Sequence, residues 1–176
     1  MGNDATGRQR LMFRKGPVRH IDGGYRVDVD AAHRRVLADL ISQLRDEVMG
    51  NAGDDRFRRL FPVAYHEDPD HDGEYQRLMH GELLASRLDA ITTALTTLGR
   101  DAQSDSIDIN DAELDAMMRS FNDLRLVLGT LLDVHEDDHI EPPADDPAFA
   151  HFQLYGYLGW LLEWLVQAQQ EARDDR

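Results

Sequence analysis

The stretch Asn110–Leu132, NDAELDAMMRSFNDLRLVLGTLL, decides how the rest of the chain is read. Asn110, with Glu113 three positions on, forms a capping box adapted to asparagine, in which each side chain answers the other residue's backbone N–H. Behind it, Leu114, Met117, Met118, Phe121, Leu124, Leu128, Leu131 and Leu132 return every third or fourth residue. That period predicts a helix with one apolar face. Such a face needs partners, so the flanking sequence is read for other stripes of the same kind.

Upstream, Asp30 caps a first long helix whose apolar positions are Val36, Leu37, Leu40, Ile41, Leu44, Val48 and Met49. Gly50-Asn51 and Gly53 end it, and Phe57, Leu60 and Phe61 form one further turn before Pro62. A polar loop runs from His66 to Gly73. A second long helix follows from about Glu74 to Leu98, with Leu84, Leu88, Ile91, Leu95 and Leu98 in a near-heptad stripe. Gly99 stops it, and residues 100–109 read as a polar connection. Downstream, Asp133–Asp146 is an acidic loop containing Pro142-Pro143. A last helix starts near Pro147, with Phe149, Phe152, Tyr155, Tyr157, Trp160 and Trp164 spread over several faces. At the N-terminus, Leu11–Arg14 and Tyr25–Val29 alternate apolar and basic residues around Gly16-Pro17 and Asp22-Gly23-Gly24, which reads as a hairpin or two-stranded ribbon leaning on helices. The expectation is a mainly α fold: a bundle of about four long helices with a small N-terminal β-hairpin or ribbon. Residues 1–10 read as disordered, 11–172 as one helical domain and 173–176 as a frayed end.

Composition narrows the function classes. The chain has 176 residues, 19 Lys plus Arg against 34 Asp plus Glu, and no cysteine. Disulfides, thiol nucleophiles and thiolate metal sites are therefore excluded. The net charge of −15 is uneven: residues 1–35 carry eight basic side chains and four acidic ones, and all the excess acid lies beyond them. An acidic body repels phosphate backbones, so any nucleic-acid contact falls to Arg14, Lys15, Arg19 and Arg26. The most apolar run, Gly156–Val166, contains Glu163 and is too short for a bilayer needing about 20 residues. No secretory signal is visible, and a cytoplasmic protein without membrane attachment is expected.

Two motifs suggest metal chemistry. His135-Glu136-Asp137-Asp138-His139 has the H-E-x-x-H spacing that lets two imidazoles one helical turn apart hold zinc while the glutamate activates water. Pro142 and Pro143 follow at once, and the apolar flanks of a buried active-site helix are missing, which favours a solvated acidic loop. Asp68-Pro69-Asp70-His71-Asp72-Gly73 matches the first half of a calcium loop, but its twelfth position is Met79 where a bidentate glutamate belongs. Asp68-Pro69 reads equally as the cap and first turn of a helix. A third constellation, Asn122, Asp123 and Arg125, projects polar groups from an apolar stripe. A buried arginine must be paired, and Glu82 or Asp89 on the preceding helix would complete a polar lock fixing helix register. No nucleophile elbow, P-loop or dinucleotide fingerprint occurs.

The run Asn122–Thr130, NDLRLVLGT, resembles an actinobacterial domain-of-unknown-function family associated with an oxidative-stress transcription regulator, AosR. The order of features is similar as well: an Arg-rich start, a leucine-rich helix, Leu60-Phe61-Pro62 with Tyr65 and Asp68-Pro69, then Glu74-Tyr75-Gln76-Arg77-Leu78, the nine-residue run, and a Trp-rich final helix. The resemblance spans roughly residues 11–168. It implies a regulatory protein that contacts transcription components. Redox sensing in that family is attributed to a cysteine pair, which this chain lacks. The function expected is therefore a non-enzymatic regulatory or interaction protein without a cofactor. It would form a homodimer through the final helix at Tyr157, Trp160 and Trp164. The alternative is a metal-binding or metal-dependent hydrolytic protein using His135, Glu136 and His139, or Asp68, Asp70 and Asp72.

Overall fold

The computed structural model describes residues 16–51, 53–61, 69–134 and 142–175, with side chains from residue 81 onward in the helix that opens at Pro69. The chain enters as a hairpin, β1 (Val18–Ile21) and β2 (Gly24–Val27), joined by the two-residue turn Asp22-Gly23. Gly23, the second central residue of the turn, has φ +82°, a left-handed conformation that glycine adopts without a Cβ clash. The hairpin thus sits where Asp22-Gly23 places it, and its first strand is Val18–Ile21 in place of the expected Leu11–Arg14, which lies outside the described residues. A third strand, β3 (Ile107–Ile109), pairs antiparallel with β2. It corrects the expectation of a polar connection: Ile107 and Ile109 alternate with Asp108, a pattern three residues long.

Val18, Tyr25, Val27, Ile107 and Ile109 point to one face of this sheet and join the core. On the other face Arg19 and Arg26 are directly opposed. Like charges across a ladder destabilise it. Here Arg19 is paired with Asp28 and Arg26 with Asp108, at 2.6 Å from Nε to Oδ1. The Arg26 guanidinium holds the Asp108 carboxyl below the usual carboxylate range.

The helices are α1 (Ala31–Asn51), α2 (Pro69–Leu98), α3 (Asp111–Leu131) and α4 (Phe149–Asp174), with a 3₁₀ turn at Asp55–Phe57 after α1. The mainly α bundle with a small N-terminal sheet is what the periodicity predicts. Asp30 caps α1 by accepting from the amides of Ala32 and His33, each at 3.0 Å. The capping box of α3 is present in both directions. Helix α2 begins at Pro69, five residues before the expected Glu74.

Helix α3 is central. It packs on α2 at one side and on α4 at the other, while β1 packs on α4 and α1 packs on α2. That placement decides which apolar residues are covered. In α1, which has helices on one side only, Leu37, Ile41, Leu44 and Val48 are buried, whereas Val36 and Met49 of the expected stripe stay exposed.

A fully buried arginine joins the elements. Arg34 is 1% exposed and donates to four carbonyls: Val29 at 2.6 Å, Asp101 at 2.8 Å, Arg100 at 3.2 Å and Leu98 at 3.4 Å. Three of these belong to the C-terminal end of α2 and the residues after it, where unsatisfied carbonyls gather and a cation is favoured. Position 34 lies in register with Leu37, Ile41, Leu44 and Val48, so it replaces an apolar residue on the buried stripe.

Candidate functional site

The polar side chains of α3 converge on its two flanks, and the run Asn122–Thr130 supplies most of them. Asp123 faces α2 and is buried. It forms an ion pair with Arg87 of α2, whose Nη2 also donates to the Leu60 carbonyl at 2.7 Å. The Arg87 guanidinium lies 5.5 Å from the centre of the Phe61 ring. Burial pushes the Asp123 carboxyl above its ordinary value, against the pull of Arg87. Desolvation therefore outweighs pairing at this site.

Arg125 faces α4. Its guanidinium stacks 4.3 Å from the centre of the Tyr155 ring, a cation–π contact, and its Nε is buried without a hydrogen-bond partner. This corrects the expected lock. Glu82 and Asp89 are exposed on α2, and neither pairs with Arg125. The lock exists, but it is made by Asp123 and Arg87. Sequence reasoning missed Arg87, although its position between Leu84 and Ile91 on the apolar stripe was the available signal.

Gly129 explains another letter of the run. A Cβ there would lie 2.9 Å from Arg59 Nη1 and 3.2 Å from Tyr155 Cε2. Arg59 continues to the Val134 carbonyl at 3.0 Å. The Val134 amide donates back to the Gly129 carbonyl at 2.9 Å, with Asp133 left-handed at φ +51°, so α3 ends in a Schellman motif.

Between α3 and α4 lies an open groove of about 1110 Å³, lined by Met118, Arg119, Asn122 and Arg125 of α3 and by Gly159, Leu162, Glu163, Val166, Gln167 and Gln170 of α4. Gly159 brings the α4 backbone close to the arginine, since a Cβ there would sit 3.2 Å from Arg125 Nε. Arg119 pairs with Asp115 one turn back. Asn122 is exposed on the ridge between this groove and a smaller one against α2. The chemistry on offer is recognition: guanidinium and amide donors, one carboxylate, and apolar Met118, Leu162 and Val166.

The other expected site residues fall as follows. Tyr157 is half-buried, with its ring centre 5.7 Å from that of Trp160, which is 45% exposed. Burial, aided by Asp30, pushes the Tyr157 hydroxyl up. Trp164 is half-buried against Gly16. Of the four basic residues considered for nucleic acid, Arg19 and Arg26 are held by Asp28 and Asp108, while Arg14 and Lys15 lie outside the described residues. His135, Glu136, His139 and Asp68 also lie outside them. Asp70 and Asp72 stand on helical backbone, so the calcium loop is not formed. The alternative reading of Pro69 as a first-turn residue holds.

Comparison with known proteins places this arrangement. The putative oxidative stress regulator AosR of Mycobacterium leprae is 30% identical over 111 residues, covering 62% of this chain and 50% of that protein. The oxidative stress regulators AosR of Mycobacterium bovis and Mycobacterium tuberculosis are each 27% identical over 134 residues, covering 69% of this chain and 61% of theirs. The chain thus spans half to about three-fifths of the length of the curated relatives it matches. No solved structure matches it. The profile of the domain of unknown function DUF2017 matches residues 15–169, which takes in every helix and strand described above except the last residues of α4, and the chain belongs to that family.

Proposed function

We propose that this chain is a non-enzymatic regulatory protein of the cytoplasm that acts through protein contacts with the transcription apparatus. The observation that carries the reading is its similarity, over 111 and 134 residues, to proteins named as oxidative stress regulators. Two features of the chain agree with contact through protein surfaces. Its net charge of −15 opposes phosphate backbones, and Arg19 and Arg26 are already neutralised within the sheet. The α3–α4 groove offers mixed apolar and hydrogen-bonding surface of the kind found at transient interfaces. With no cysteine, the regulatory output does not run through a thiol–disulfide switch of this chain.

The test is a transcript profile of the host with and without this chain, before and after a peroxide challenge. Altered expression of a defined gene set supports the reading. Identical profiles under both conditions overturn it.

A further inference from the structure

Among the described residues, the α3–α4 groove carries one unpaired charge of each sign. The Arg125 guanidinium has a ring beneath it and, among the described residues, no carboxylate paired with it. Glu163, one helical turn beyond Gly159, is exposed and makes no ion pair among the described residues. Both line the same groove, yet they do not join each other. The two large apolar residues that α4 leaves exposed, Trp160 and Val166, stand three residues to either side of Glu163.

A surface of this composition is complementary to itself. In a two-fold contact the same patch serves on both sides, so each patch must supply both members of any ion pair. We infer that a second copy of this chain seats on the α3–α4 groove, with Glu163 of one copy against Arg125 of the other, twice over. Met118, Leu162 and Val166 would close around the pairs and exclude water, which strengthens each charged contact. The inference is independent of the regulatory reading. It also moves the expected dimer face. Of the three aromatic residues of that face, Tyr157 is half-buried and Trp164 lies against Gly16, which leaves Trp160 exposed beside the open groove. The acidic body of each copy repels the other at long range, but at physiological ionic strength that repulsion is screened beyond about 8 Å.

The experiment is sedimentation equilibrium of the full chain at physiological ionic strength over the micromolar range. A monomer–dimer equilibrium is expected. Glu163→Arg, at an exposed position, raises the dissociation constant about tenfold or more, because it sets two like charges together. Arg125→Glu does the same. The double variant Arg125→Glu/Glu163→Arg restores the dimer to within a few-fold. Arg125→Glu also removes the stack on Tyr155, so Val166→Asp provides a second disruption that leaves the fold alone. A monomer at every concentration overturns the inference. So does a dimer that Glu163→Arg and Val166→Asp leave intact while Trp160→Ala dissolves it.

Discussion

Arg87 and Asp123 form an ion pair across the α2–α3 interface, and burial nevertheless leaves the Asp123 carboxyl above its ordinary pKa. Desolvation therefore offsets part of what the ion pair contributes. Removing one member strands the other charge in a desolvated site. Asp123→Ala is expected to cost about 3 kcal/mol. Replacing both residues, as in Arg87→Met/Asp123→Leu, costs clearly less than that single change. Urea unfolding of the three proteins checks the order. A double variant no better than Asp123→Ala contradicts it.

Arg34, unlike the half-buried Arg87, is a fully buried cation, and its partners are carbonyls. Arg34→Met keeps the volume but leaves those acceptors without their donor, at an expected cost of about 3 kcal/mol. Arg34→Lys recovers only part of this, because an ammonium cannot spread its donors over the same fork. Thermal melts should rank wild type above Lys and Lys above Met.

Long patterns are legible in the sequence, and short ones are not. Helices were legible because Leu114, Met117, Phe121, Leu124 and Leu128 repeat one period over many turns, and the capping box marks where that period starts. Strand β3 was not, since Ile107 and Ile109 offer one alternation. Arg34 and Arg87 sit on apolar stripes, which announces a buried charge. Their partners are backbone carbonyls and an aspartate distant in sequence, and periodicity does not reveal those. Arg125 has the same signature, yet it is satisfied by the Tyr155 ring, a contact that needs the α3–α4 packing to be known.

Acid and base act oppositely on two carboxyls. Burial raises Glu113, but the Arg100 guanidinium and the Asn110 amide more than offset it and leave it below the usual range. A lowered carboxyl stabilises the fold above its unfolded value, near 4.5, and that contribution is lost as pH falls through the folded value. Glu113→Gln therefore loses stability at neutral pH and flattens the acid limb of the stability curve. Asp123 is raised, so its contribution is full below its unfolded value, near 3.8, and fades as pH climbs through the folded one. Asp123→Asn accordingly gains on wild type as pH is raised from about 4 toward neutrality. Unfolding free energies across that window test both signs.

Gly16 has no room for a side chain: a Cβ there would run into the Trp164 ring. Gly16→Ala must displace the indole or the start of β1, at about 1–3 kcal/mol. The variant should show a shifted tryptophan emission before any loss of helical signal. Unchanged emission and stability would remove the contact from the account.

Asp70 and Asp72 on helical backbone leave calcium without its loop. The chain, purified without a histidine tag and dialysed, is expected to retain neither calcium nor zinc at stoichiometric level. A retained ion would restore the metal-dependent reading built on His135, Glu136 and His139.

The regulation proposed above runs through contact with the transcription apparatus. The direct measurement is a binding isotherm of the full chain with purified actinobacterial RNA polymerase holoenzyme at physiological salt. Saturable binding that approaches one chain, or one dimer, per polymerase is expected. A flat isotherm at every concentration would contradict it.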